Sequence, residues 1–143
     1  IAAVALEDVD VKRLMTIPGI DMVVAVGVMA AIGRIDRFAS PEKLVAYLGL
    51  NPSVRQSGDG PAHHGKIAKR GRSHARHMLV EAAWQTVRSP GPMRAFYERI
   101  RAKRGTHVAA VAVARKLAVL VWPLVTMAEE FAWGRPALMG RAL

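Results

Sequence analysis

Cysteine is absent from the 143 residues. That rules out disulfides and any thiolate metal site, and it suits a reducing cytosol. Carboxylates are scarce where charge is densest. Arg55 to Arg104 carries 12 Lys/Arg against 3 Asp/Glu, while residues 1–54 carry 5 against 6 and residues 105–143 carry 4 against 2. Asp59 and Glu81 are the carboxylates nearest the basic stretch, too few for two-metal phosphoryl transfer. A nucleotide-binding glycine loop is also missing, because Gly65-Lys66 lacks both the spacing and the following Ser/Thr. There is no signal-peptide pattern and no internal repeat, and the start at Ile1 is that expected of a piece excised from a longer polypeptide. Nor is there an uninterrupted membrane-length apolar run. Val108 to Ala128 comes nearest, but Arg115 and Lys116 sit at its centre, where each charge would cost about 3 kcal/mol in lipid. A buried or oligomer-facing helix is expected there, not a membrane span.

What is present is a chain about half apolar with a net charge of +10, enough for one domain with a real core. The positive charge is concentrated in the middle third, the footprint of a polyanion partner, most often nucleic acid. The alternative is a soluble basic protein with no such partner.

Taken in order, the pattern predicts an all-α fold of five or six helices with one long basic glycine-rich loop. Residues 3–16 read as a helix, and Ile17-Pro18-Gly19-Ile20 as a tight turn. A strongly apolar helix follows from Asp21 to Ile32 and ends at Gly33. The turn and its flanks resemble a helix-hairpin-helix, whose glycine turn aims backbone N–H groups at a phosphate. The usual second glycine is here Asp21, a good N-cap. Packing and phosphate binding both remain open for this hairpin, and Gly19 is the candidate contact. Phe38 is expected to anchor a connector, and Ser40-Pro41-Glu42 to start a short helix that stops at Gly49. The polar run Gly49–Arg72 comes next, with a small hairpin conceivable between 53–57 and 65–68. Ser73 is expected to cap a helix to about Arg88, with Met78, Leu79, Ala82, Ala83 and Val87 as its buried stripe. After Ser89-Pro90-Gly91-Pro92, a helix over Met93–Lys103 buries Met93, Phe96, Tyr97 and Ile100. Thr106 is expected to cap a last, nearly all-apolar helix kinked at Pro123. The domain is assigned to 1–133 and a loose tail to 134–143.

Chemistry concentrates in the central loop. His63-His64 and the His74/His77 pair invite a zinc reading, but cysteine is lacking and no carboxylate sits at ligand spacing, so phosphate contact or solvation is favoured and no metal is assigned. Ser57 could act as a nucleophile on a phosphodiester if its proton is removed and the developing charge is stabilised. Arg55, Lys66, Lys69, Arg70, Arg72 and Arg76 could cradle that phosphate, and Gly58 would let the backbone approach DNA closely. A plain Ser-Gly turn is the alternative.

The order of motifs adds to this. I-P-G-I (17–20) is followed by I-G-x-I-x-R-F-x-S-P-x-x-L-x-A-Y-L-G-L-x-P (32–52) and Q-S-G (56–58). Then come G-K-I-A-K-R-G-R-S-x-x-R-x-x-L-V-E-A-A (65–83) and A-V-A-R-K-L-A (112–118). Over about residues 13–122 this resembles the C-terminal domain of the "IS one-ten" insertion-sequence transposases, relatives of the Piv invertase. The resemblance implies a serine nucleophile at Ser57, with Lys66, Lys69, Arg70, Arg72 and Arg76 on nucleic acid or the scissile phosphate. It further implies a bridge RNA guide, a dimer or tetramer, and cytoplasmic, DNA-associated work in bacteria. Mg²⁺ would sit in a RuvC-like DEDD domain that these residues do not include, so the piece alone is expected to be inactive. Two other functions stay open: a non-catalytic helix-hairpin-helix DNA- or RNA-binding module, and an oligomerisation domain.

Overall fold

The computed structural model describes residues 8–51 and 66–127, with backbone alone for 66–71. Among them are six α-helices and no strand. We number the helices α1 (Val9–Leu14), α2 (Met22–Ile32), α3 (Pro41–Tyr47), α4 (Lys66–Thr86), α5 (Pro92–Arg104) and α6 (Thr106–Thr126), with a 3₁₀ turn at Ile35–Arg37.

Local signals in the sequence set most of these boundaries. Asp21 Oδ1 accepts from Val24 N–H at 2.9 Å and caps α2. At the other end Gly33 takes a positive φ of 72° and donates its N–H to the Met29 carbonyl. Ser40 Oγ accepts from Lys43 N–H at the start of α3, with Pro41 in the first turn.

α6 is the centre of the fold and packs against α5, α4, α3 and α1. Ten of its residues are buried, among them Leu117, Leu120, Val121 and Leu124. Each such side chain stabilises the fold by roughly 1.5–3 kcal/mol on leaving water. α6 is long and apolar enough to cross a membrane, yet half of its apolar window is covered by the rest of this chain. Among the described residues it is a core helix. α2 packs on α4, where Gly27 leaves room for Met78: a Cβ at Gly27 would lie 2.5 Å from the Met78 sulfur. Phe38 is buried as expected, and its carbonyl accepts from Trp122 Nε1 at 3.1 Å.

Several expectations are corrected. The helix predicted over 3–16 is cut at Asp8, whose extended backbone and carboxylate cap α1, with Oδ1 accepting from Asp10 N–H and Val11 N–H. Residues 3–7 lie outside the described residues. α4 begins at Lys66, not Ser73, and runs through Gly71. Glycine costs a helix about 1 kcal/mol, which the packed length downstream offsets. The long loop is therefore shorter than the predicted Gly49–Arg72. The conceived hairpin is also overturned, since its second half is helical from Lys66; its first half, 53–57, lies outside the described residues. Gly105, not Thr106, holds the N-cap position of α6 and makes no side-chain cap. Pro123 lies inside the last helix as expected, and α6 runs on to Thr126. The tail 134–143 lies outside the described residues.

Candidate nucleic-acid interface

Ser57, Gly58 and Arg55, with His63 and His64, lie outside the described residues. The structure does define the two stems between which they run, Gly49–Asn51 after α3 and the first turns of α4. At about 3.6 residues per turn, positions 66, 69, 70, 73, 76 and 77 share one side of α4 by register. Lys66, Lys69 and Arg70 thus belong to the same helical face as Arg76. The opposite side is buried through Ala75, Leu79, Ala82, Ala83 and Thr86, and Met78 and Val87 are partly buried.

Arg72 and Arg76 border the buried side, and both are half-buried. The Arg72 guanidinium lies 5.2 Å from the centroid of the Tyr47 ring. Its Nε is buried and makes no hydrogen bond among the described residues. Arg76 reaches Ser73 Oγ through Nη2 at 3.3 Å. It passes so close to Gly49 that a Cβ there would stand 2.8 Å from Nη1. Gly49 has a φ of 74°, so both its backbone and the passing arginine favour glycine.

A third cation completes the group. Arg37 in the 3₁₀ turn stacks 4.9 Å from the Tyr47 centroid and 4.8 Å from that of Phe38. Its Nε donates to the Ile32 carbonyl at 3.0 Å, which holds it in place. Tyr47 OH donates to the Ala31 carbonyl at 3.3 Å, and its ring meets Phe38 at 5.1 Å. Two guanidiniums therefore face one tyrosine ring with no carboxylate between them. The ion pairs formed among the described residues are Arg13–Asp10, Arg34–Asp36 and Arg101–Glu98, none of which involves Arg37, Arg72 or Arg76. Arg72 is half-buried and Arg37 exposed, both lie against aromatic faces, and neither they nor Arg76 has an acidic partner among the described residues, so the three are free to meet an external anion.

Sequence reasoning selected Arg72 and Arg76 but missed Arg37 and Tyr47. The signal was the R-F and A-Y pairs within residues 32–52, which reads as core packing until α4 is seen to lie across them. Gly19 sits apart from this cluster. Its φ is 99°, and its α-carbon abuts α4, where a Cβ would lie 2.5 Å from Thr86 Oγ1 and 2.9 Å from the Ala82 carbonyl. His74 and His77 are both exposed on α4, and no group of three His, Asp or Glu side chains that could hold a metal occurs among the described residues.

Comparison with known proteins bears on this arrangement. The sequence profile described as "Transposase IS116/IS110/IS902 family" matches residues 11–98. The "Transposase for insertion sequence element IS1111A" of Coxiella burnetii is 32% identical over 136 residues, covering 92% of this chain and 37% of the relative. The "Transposase for insertion sequence element IS1328" of Yersinia enterocolitica is 28% identical over 129 residues, covering 87% of this chain and 38% of the relative. The chain thus spans less than two fifths of the length of these curated relatives. No solved structure matches. The profile covers more than half of the chain, through α1–α4 and into α5, and on that match the chain belongs to the Transposase IS116/IS110/IS902 family.

Proposed function

We propose that this chain is the nucleic-acid-binding, serine-bearing part of a DNA transposase or recombinase. The observation that carries the reading is the set Arg37, Arg72 and Arg76, which form no ion pair among the described residues and stand at the stems of the segment that bears Ser57. In this reading Ser57 Oγ bonds to a DNA phosphorus, the bond from phosphorus to one DNA oxygen breaks, and the serine proton passes to that departing oxygen. The link is a phosphoserine, resolved when a second DNA hydroxyl attacks the same phosphorus and returns the proton to serine. Arg55, Lys66, Lys69, Arg70, Arg72 and Arg76 offset the charge on the phosphate oxygens, and Gly58 gives the backbone its close approach. Gly19 keeps the packing role its contacts with α4 describe.

The donor set of the described residues does not fit a resident Mg²⁺ site, since no three carboxylate or histidine side chains cluster there. Mg²⁺ is assigned, within the same proposal, to a RuvC-like DEDD domain outside these residues. The reading also includes a bridge RNA guide, a dimer or tetramer that composes the site from two domains, and a place on bacterial DNA in the cytoplasm. Its support is the family membership and the basic middle third of the chain.

The test uses the longer transposase with its metal-binding domain, guide RNA, Mg²⁺ and labelled donor DNA. A denaturant-resistant protein–DNA adduct is expected, and it should vanish in Ser57→Ala with DNA binding retained. An adduct that persists in the variant would overturn the role of Ser57. Tight, salt-sensitive binding with no adduct at all would leave a non-catalytic binding module.

A further inference from the structure

A second feature lies on the other side of the Gly49–Asn51 stem. There α5 and the start of α6 leave a cleft of about 630 Å³, floored by Phe96, Ile100, Val108 and Val111 and edged by Arg104 and Arg115. Among the described residues no carboxylate lines it. Arg115 Nε is buried without a hydrogen-bond partner among the described residues. Lys116 Nζ and the Arg99 guanidinium lie 5.1 Å and 5.6 Å from the Phe96 ring centroid, and neither lines the cleft. A smaller recess of about 210 Å³ shares Gly49, Leu50, His107 and Val111 with this cleft and reaches Arg76, His77 and Glu81. The cleft therefore continues into the α4 cluster.

An apolar floor with an aromatic ring, a cationic rim and no acid is the chemistry of a site for a flat, uncharged ring attached to an anion. The volume suits one such group, since small-ligand pockets run from about 300 to 1,000 Å³. A base inside a duplex is stacked on both faces and cannot enter, whereas an unpaired base exposes a face for an aromatic side chain and leaves its phosphate for arginine. Strand cleavage and exchange next to Ser57 would generate unpaired nucleotides at the stem this cleft adjoins. We infer that the cleft between Gly49–Asn51, α5 and the start of α6 receives one unpaired nucleobase of the nucleic acid, stacked on Phe96 with its phosphate on Arg104 and Arg115. The inference rests on the proposed function and adds to it a site that distinguishes single-stranded from duplex partners. An acidic amphipathic peptide could meet the same rim. The nucleotide is favoured because the cleft itself has a cationic rim and continues toward Arg76, which forms no ion pair among the described residues.

The experiment measures binding of this chain to three labelled probes: a thymidine single strand of about 12 nucleotides, the same strand with abasic residues, and a duplex of equal length. Stacking on one aromatic predicts that the thymidine strand binds about tenfold tighter than the abasic one. Phe96→Leu, with helical content checked by circular dichroism, should remove most of that difference and leave duplex affinity unchanged. Arg104→Ala, at an exposed position that cannot unfold the core, should weaken both single strands. A strand carrying 4-thiothymidine should crosslink to the α5–α6 cleft. Equal affinity for base-bearing and abasic strands with duplex binding intact would overturn the cleft and leave the proposed function standing. Failure to bind any of the three would overturn both. Crosslinks confined to other helices, or displacement by an acidic peptide but not by thymidine strands, would also overturn the inference.

Discussion

Thr86 Oγ1 lies 2.8 Å from the Pro18 carbonyl and 2.9 Å from that of Ala82, so its single proton is shared between the turn before α2 and its own helix. The same side chain is the wall that a Cβ at Gly19 would strike, at 2.5 Å. The Ile17–Ile20 turn is thereby clamped onto the C-terminal end of α4, and the first two helices are fixed relative to the helix that carries the basic face.

Gly19→Ala should therefore be among the most damaging single substitutions. It combines strain at a positive φ with a collision against backbone atoms of α4, Thr86 N at 2.7 Å and the Ala82 carbonyl at 2.9 Å, which cannot swing aside. A loss of about 2–3 kcal/mol is expected, read as a fall in Tm of roughly 10 °C. Thr86→Val removes the shared hydrogen bond at nearly constant shape and should cost about 1–2 kcal/mol, while Thr86→Ser should recover most of it. Tm unchanged in Gly19→Ala would refute the clamp.

The arginine cluster predicts a specific pattern of salt dependence. Arg72→Ala and Arg76→Ala should each weaken duplex binding at every sequence and reduce the slope of log affinity against log salt by about 1. Arg37→Ala should behave in the same way, although the R-F pair that contains it reads in the sequence as core packing. Titrations at several salt concentrations decide the matter. An unchanged slope in all three variants would mean that Arg37 and Arg72 serve only to pack on Phe38 and Tyr47, and Arg76 only to pack beside Gly49.

Gly49 gives a subtler test, because its neighbour is the tip of a flexible side chain. Gly49→Ala must displace Arg76 and must also hold alanine at a φ of 74°. About 1 kcal/mol of stability should be lost, together with the portion of nucleic-acid affinity that Arg76 supplies. The double variant with Arg76→Ala should lose little further affinity, since the two changes act through one contact. Additive losses would show that Gly49 acts independently of Arg76.

What the sequence made legible follows the range of each interaction. Asp21, Ser40-Pro41, Gly33 and Gly105 act within a turn of their own position, and the helix ends they mark are where the pattern places them. The start of α4 was misplaced because Gly71 and Ser73 look like a terminator and a cap. Packing of the apolar side between Ala75 and Thr86 outweighs those preferences and carries the helix back to Lys66. The basic character of the interface was legible from composition. The stacking of Arg37 and Arg72 on Tyr47 was not, because it joins a 3₁₀ turn, the end of α3 and the start of α4, and side-chain proximity across such separations leaves no local period.

Lys116 predicts a pH dependence whose sign is fixed by its surroundings. Burial first, then the like charges of Arg115 on its own helix and Arg99 on α5, hold its amine below the usual lysine value of 10.5. The amine also lies over the Phe96 ring. The folded chain therefore gives up this proton at a lower pH than the unfolded chain does. Between the folded value and 10.5 the unfolded state binds more protons, so this group makes stability rise as pH rises across that window and contributes no slope below or above it. The fold therefore disfavours the protonated amine relative to its neutral form. Lys116→Met keeps the length of the side chain and its contact with Phe96 while removing the charge. The stability of the variant minus that of the parent should fall as pH rises through the window below 10.5. Thermal unfolding followed by circular dichroism from pH 7 upward measures this directly. Parallel profiles for parent and variant would show that Lys116 pays no penalty among its cationic neighbours.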